Sequence, residues 1–194
     1  MRTILTLSTF LLLLTTNAQW ATDPTVNTLV ASSSVDDINA VGTSDGKTCV
    51  VFWKEVPAPI NFELRLQVLD ENGNTTLGAD GTLISDAIPM ATFTYQWKLT
   101  IDDNDDLYVG LSGSNNGDPA YAFKMDINGT QLWGSNGVVV GSGLGVTILP
   151  LSTGDAVVAW IAYPDLVLNM QKYDSNGNEV WGSPQTITQD NNNT

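Results

Sequence analysis

No histidine occurs in this 194-residue chain, and cysteine occurs once, as Cys49. The first absence removes Ser-His-Asp and Cys-His nucleophile pairs and any imidazole-based zinc or iron centre. The second removes an internal disulfide. Cys49 opens the apolar run Cys49-Val50-Val51-Phe52-Trp53 and reads as a buried, inert thiol. Positive charge is scarce too: seven Lys and Arg face 21 Asp and Glu, for a net charge of −14. Such a surface repels nucleic acid and anionic lipid, and no basic patch overcomes it, so neither is expected as a partner. Carboxylate chemistry remains, as in glycoside hydrolysis by two acids. No pair of acids stands out by its spacing, so no catalytic residue is assigned.

Long apolar runs are lacking except at the start. Met1-Arg2 precedes an apolar stretch from Ile4 to Leu14, and Thr15-Thr16-Asn17-Ala18 follows. A basic start, an apolar middle and a small polar end predict a secretory signal peptide over residues 1–18. The run is short of the ~20 residues that span a bilayer, so no membrane span is expected after cleavage. The protein is expected outside the cell or on its surface. Loss of Arg2 would take the net charge from −14 to −15. A secreted domain without disulfides must rest on its core, and 42% apolar content can supply one.

An internal repeat organises the rest. Val68–Gly78, Lys124–Gly134 and Lys172–Gly182 align without gaps on the pattern Asp-x-Asn-Gly-x-x-x-Trp/Leu-Gly. Its residues are Asp70 and Gly73, then Asp126, Gly129 and Trp133, then Asp174, Gly177 and Trp181, with copies 56 and 48 residues apart. Asn and Gly both tolerate the positive φ of a tight hairpin, and the Asp can accept from the turn's amides. Upstream, Asp45-Gly46-Lys47, Asn104-Asp105-Asp106 and Thr153-Gly154-Asp155 each lead into a short apolar strand: Cys49–Trp53, Leu107–Leu111 and Ala156–Trp160. A further strand precedes each of these turns, around Ile38–Val41, Trp97–Ile101 and Val146–Leu149. No window holds a helical period.

Every unit therefore reads strand, turn, strand, loop, strand, Asn-Gly turn, strand. The expected fold is all-β: a partial β-propeller of about three four-stranded antiparallel blades, at about 37–85, 93–141 and 145–189 of a repeat domain spanning 19–190. Residues 20–33, with Trp20 in register with Leu77, Trp133 and Trp181, are expected as a lone outer strand, and 191–194 as a polar tail. A β-sandwich is the competing fold, but a sandwich has no need to repeat a Trp and a turn at one phase. Three blades do not close a ring. The chain is therefore expected to be a fragment of a larger ring, with assembly from several copies as the alternative.

Gln19-Trp20, the Asp-Gly-x-x-x-Val-Val-x-Trp strand and the Asn-Gly-x-x-x-Trp-Gly hairpin resemble those of secreted repeat proteins from Bacteroidetes, which look like multi-blade propellers. The resemblance implies type IX secretion; the sequence departs from the family in showing no sorting domain, so a C-terminus beyond it is expected. The Asp-x-x-Gly-x-x-x-Trp hairpin is similar to that of quinoprotein propellers and, more loosely, to the sialidase Asp-box. In those families the motif is structural and the Trp packs between blades. One Cys cannot supply the paired cysteines of quinoprotein dehydrogenases, and one Arg beyond residue 18, Arg65, cannot supply the arginine cluster of sialidases.

The sharpest polar constellation is Asp102-Asp103-Asn104-Asp105-Asp106, where Asp102, Asn104 and Asp106 alternate as in the start of a calcium loop. The helix–loop–helix version fails, because Leu107 and Gly113 stand where a Gly and a bidentate Glu are needed. A solvated acidic turn is the alternative, so no cofactor is expected unless calcium binds here. Trp53 and Trp160 occupy matching places on the second strands, with Leu111 between, and read as core rather than as a sugar platform. The functional expectation is a non-catalytic extracellular module that binds glycan or protein partners. The alternative is an N-terminal fragment of a secreted glycan hydrolase whose catalytic residues lie outside this chain.

Overall fold

The computed structural model describes residues 28–58, 62–86, 96–112 and 117–187. The expected signal peptide, Trp20 and the polar tail lie outside these. Eleven strands are described, each paired antiparallel with a sequence neighbour, and no helix occurs among the described residues. The first unit is β1 (Val35–Gly42), β2 (Thr48–Glu55), β3 (Phe62–Leu69) and β4 (Thr82–Ser85), a sheet in that order. The second sheet has seven strands: β5 (Gln96–Ile101), β6 (Leu107–Ser112), β7 (Pro119–Met125), β8 (Val138–Pro150), β9 (Ala156–Ala162), β10 (Val167–Tyr173) and β11 (Gln185–Ile187).

The seven-stranded sheet is two four-stranded meanders joined end to end. Residues 138–142 of β8 pair with β7, and residues 143–150 pair with β9. The strands expected separately at Val138–Val140 and Val146–Leu149 are thus one continuous 13-residue strand. Glycine permits this at the junction: a Cβ on Gly143 would lie 2.1 Å from the Ile161 carbonyl oxygen.

Register assigns each face. Thr48, Leu107 and Ala156 open the second strand of each unit, opposite Leu69, Met125 and Tyr173. From there Leu107, Val109 and Leu111 of the second unit face the first unit, in one core with Val51, Trp53, Leu64 and Leu66. Tyr108, Ala120 and Ala122 face the third unit, in a second core with Val158, Trp160 and Tyr173. The middle strand β6 is therefore buried at every residue, which explains its unbroken apolar run.

One expectation is corrected by this register. Trp53 and Trp160 do not match: Trp160 corresponds to Leu111 and Phe52, while Trp53 corresponds to Ser112 and Ile161. The two indoles stand on opposite faces of their sheets, and both pack against the second unit. Of the lone strand expected at residues 20–33, positions 20–27 lie outside the described residues, and 28–33 are not in a strand. Val30 and Ala31 cover Val50, Phe52 and Leu69 on the outer face of the first sheet. This segment is held by Asp80, whose carboxylate accepts from the Ser32 amide (3.0 Å), the Ser32 and Ser33 hydroxyls (2.7 and 3.1 Å) and Lys54 Nζ (2.8 Å).

Candidate functional site

The turns carry the polar chemistry. Antiparallel connectivity puts the strand 1–2 and strand 3–4 turns of every unit at the same end of its sheet. The Asp-x-Asn-Gly turn has one geometry in all three copies. Asp70 N donates to Asn74 O at 2.9 Å and Gly73 N donates to Asp70 O at 3.0 Å, while Asp70 Oδ1 accepts from Asn72 N and Asn74 N at 2.9 and 2.8 Å. Asp126 and Asp174 repeat these bonds. Only the glycine has positive φ: 81°, 82° and 83° at Gly73, Gly129 and Gly177. Asn72, Asn128 and Asn176 do not, so the turn is a type I turn followed by a left-handed glycine rather than a two-residue primed turn. It also does not join the two strands directly. It closes on a single bridge, Leu69↔Thr75 in the first copy, and the Leu/Trp-Gly corner follows before the last strand.

Asp102–Asp106 is the same turn. Asp102 N donates to Asp106 O (3.0 Å), Asp105 N to Asp102 O (3.1 Å), and Asp102 Oδ1 accepts from Asn104 N and Asp106 N (2.9 Å each). Asp105 takes the glycine's place at φ 63°, a conformation that Asp tolerates better than most residues. Its carboxylate crosses to the first unit and accepts from Ser44 N at 2.8 Å and Ser44 Oγ at 2.6 Å. Asp102 Oδ2 accepts from the Tyr108 hydroxyl at 3.1 Å, and Asp106 pairs with Lys124 Nζ at 3.0 Å. The three residues weighed as calcium ligands thus sit on one turn, with both carboxylates engaged by protein donors. No group of three or more Asp, Glu or Cys converges as a metal site among the described residues.

Trp133 is 3% exposed and bridges the second and third units. Tyr108 meets it edge-on at 5.7 Å, and the Tyr173 ring lies 5.6 Å away at a tilt of 37°. Gly177 packs directly against this indole: a Cβ there would lie 2.9 Å from Trp133 Cγ. Trp181 is half-buried and its carbonyl accepts from Gln171 Nε2 at 3.1 Å. Gln67 holds the same corner of the first unit one carbonyl further on, donating to Gly78 O at 2.7 Å while its Oε1 accepts from Leu77 N at 3.0 Å. Both glutamines are fully buried. Sequence reasoning missed them; the signal was their shared place three residues before the Asp, broken in the middle copy by Phe123.

Lys124 was also missed. Its side chain is 4% exposed, with Nζ 5.1 Å above the Tyr108 ring and 3.3 Å from the Gly154 carbonyl of the next unit's turn. Burial acts to lower its pKa, but the Tyr108 hydroxyl and the Asp106 carboxylate outweigh burial and raise it. Burial likewise pushes the Tyr108 phenol up to about 12. Lys172 and Asp155 form the corresponding pair in the third unit, at 2.7 Å.

Beside this network lies a cleft of about 290 Å³, walled by Thr100–Asn104 of the second unit and Leu149–Ser152 of the third. Asp103, Asn104, Leu149 and Ser152 are exposed there. The surrounding turns are strongly acidic, carrying Asp45, Asp70, Glu71, Asp126, Asp155 and Asp174 besides the Asp102–Asp106 run. The cleft therefore offers hydroxyl, amide and carboxylate groups beside the aliphatic surface of Leu149 and Pro150, in a field hostile to anions.

No family model matches the chain, and no curated protein sequence matches it. Among solved structures it is similar to an endo-arabinase from Bacteroides thetaiotaomicron, at 14% identity and a TM-score of 0.42. That likeness covers 84% of this chain and 65% of the endo-arabinase, so the chain spans less than two thirds of that protein's length.

Proposed function

We propose that this protein is a secreted, non-catalytic binding module, built as part of a β-propeller, that holds neutral glycans in the cleft between its second and third units. The observation that carries the reading is the cleft, with Asp103, Asn104 and Ser152 set beside Leu149 and Pro150. Sugars present hydroxyls on their rims and C–H groups on their faces, and both surfaces have a counterpart here. The acidic turns favour neutral sugars over sialylated or uronic ones. Secretion by a signal peptide, and by a Bacteroidetes-type route, belongs to the same proposal, as does the continuation of the repeat into a larger ring. The repeated meanders and the indole between units support the propeller reading.

Among the described residues no aromatic side chain lines the cleft, so a single site should bind weakly, with Kd of order 1 mM. A glycan array followed by ligand-observed NMR titration tests this. Neutral oligosaccharides should bind, and the Asp103→Ala, Asn104→Ala double variant should lose them while keeping the wild-type melting curve. Silence toward neutral glycans together with capture of a protein ligand would replace glycan by protein as the partner class. Cleavage of a bound glycan would overturn the non-catalytic part.

A further inference from the structure

The third unit has a face whose two counterparts are buried. In the first unit, the side of β2 and β3 that carries Trp53, Leu64, Leu66 and Val68 is covered by the second unit. In the second, the corresponding side of β6 and β7 is covered by the third unit, and Lys124 there donates across the boundary to the Gly154 carbonyl. In the third, this side carries Ile161 (41% exposed), Leu168 (37%), half-buried Met170 and Lys172. The β9 run Ala156-Val157-Val158-Ala159-Trp160-Ile161 is apolar on both faces, as a strand covered on both sides reads, yet its Val157 side has no neighbouring sheet among the described residues.

We propose that this face is a docking surface for one further four-stranded sheet of the same repeat. The two boundaries inside the chain specify what that sheet must present. Its second strand offers aliphatic side chains at the places of Leu107, Val109 and Leu111, which fill the space over Ile161 and Leu168. Its first turn places a backbone carbonyl, the counterpart of the Gly154 oxygen, where Lys172 can donate as Lys124 does. Asp155 already holds Lys172 as Asp106 holds Lys124. A matching sheet thus finds the ammonium positioned before it arrives. The inference rests on the repeat reading of the chain and is independent of what the cleft binds.

A thiol footprint tests it. Leu168→Cys puts a thiol on the face, while native Cys49 is buried and silent. In the chain as it stands, Cys at 168 should react with a maleimide about as fast as an open thiol. Two extended chains are compared. One joins a copy of Gly143–Ile187 after Asp190, which corresponds to Ser142 at the 48-residue spacing. The other joins a copy of the second unit, Trp97–Ser142, at the same place. Docking should slow labelling by roughly 100-fold in at least one of them, because reaction then requires a local opening. Adding Lys172→Glu should return most of the reactivity. Unchanged labelling in both extended chains overturns the proposal. Concentration-dependent protection in the unextended chain also overturns it, by assigning the face to a second copy. Neither readout depends on glycan binding, so failure here and failure of the binding reading are distinguishable.

Discussion

Replacing Gly177 by alanine isolates the contact between one unit's turn and its neighbour's indole. Gly46, Gly154 and Gly177 hold the same left-handed place in their turns, with φ of 88°, 84° and 83°. An L residue there costs about 1–2 kcal/mol. The reduced freedom of the unfolded chain returns about 0.4–1 kcal/mol of that. At Gly46 a new methyl meets nothing within 4 Å, and at Gly154 only Ser175 Cβ at 3.8 Å. Both variants should therefore lose about 0.5–1 kcal/mol. At Gly177 the methyl lies 2.9 Å from Trp133 Cγ and 3.0 Å from its Cβ. The indole is buried and in contact with the Tyr108 and Tyr173 rings, so it has little room to retreat. Overpacking of that kind adds about 1–3 kcal/mol, for a total loss of about 2–4 kcal/mol. With a urea m-value near 2 kcal/mol/M, the midpoint should fall by about 1–2 M for Gly177→Ala and by less than about 0.5 M for Gly46→Ala or Gly154→Ala. The double variant Gly177→Ala, Trp133→Ala should show a coupling of about 1 kcal/mol or more. Equal losses at Gly154 and Gly177 would refute the claim that the turn packs on the indole.

Trp133→Ala alone should lose about 3–5 kcal/mol in the same assay, the range for a buried aromatic. Tyr173 is 1% exposed, and its hydroxyl has no protein hydrogen-bond partner among the described residues, so Tyr173→Phe should be neutral or raise stability by up to about 1 kcal/mol in urea melts. Asp70, Asp155 and Asp174 have lowered pKa values, through the Asn74, Lys172 and Asn178 side chains respectively. Their stabilisation is present above the unfolded carboxylate pKa of about 3.9 and is lost as pH falls through the lower folded values. At the alkaline end, burial raises the Cys49 thiol to about 11, so stability should decline from about pH 8.5 upward, where the unfolded thiol ionises first. With no histidine to titrate between these limits, urea midpoints should be flat from about pH 5 to 8. Calcium at Asp102, Asn104 and Asp106 would have to compete with the Tyr108 and Lys124 contacts, so EDTA should leave the melting temperature unchanged, and a calcium-dependent rise would contradict this account.

The strands were legible because their punctuation was. Glycine at a fixed phase marks five of the six turns at this end of the sheets, and each turn precedes an apolar run that β2, β6 or β9 occupies, or follows one that β3, β7 or β10 occupies. Face was harder to read. Cys49–Trp53 is apolar at every position, so it contains no alternation to say which side a residue takes. Counting from Cys49 rather than from Thr48 put Trp53 in line with Trp160, whereas the pairing of Thr48 with Leu69 moves it to the other face.

Asp102–Asp106 shows the same limit in a turn. Read as a string, five consecutive polar residues with alternating acids suggest a cation loop. What the string does not show is a backbone angle: Asp105 adopts the φ that glycine supplies elsewhere, so the run folds as the same turn as the Asp-x-Asn-Gly copies. The two bonds from Ser44 give a reason for an aspartate to hold that angle. A left-handed aspartate costs something in its own turn and returns it across the boundary with the first unit. Asp105→Gly should therefore relax the turn yet weaken the boundary, and Ser44→Ala should be coupled to it. Asp105→Ala loses both the bonds and the conformational tolerance, so it should be the most destabilising of the three in urea melts. If Asp105→Gly instead stabilises the protein, and does so equally in the Ser44→Ala background, the carboxylate contributes nothing to the boundary and the residue is a solvated acid after all.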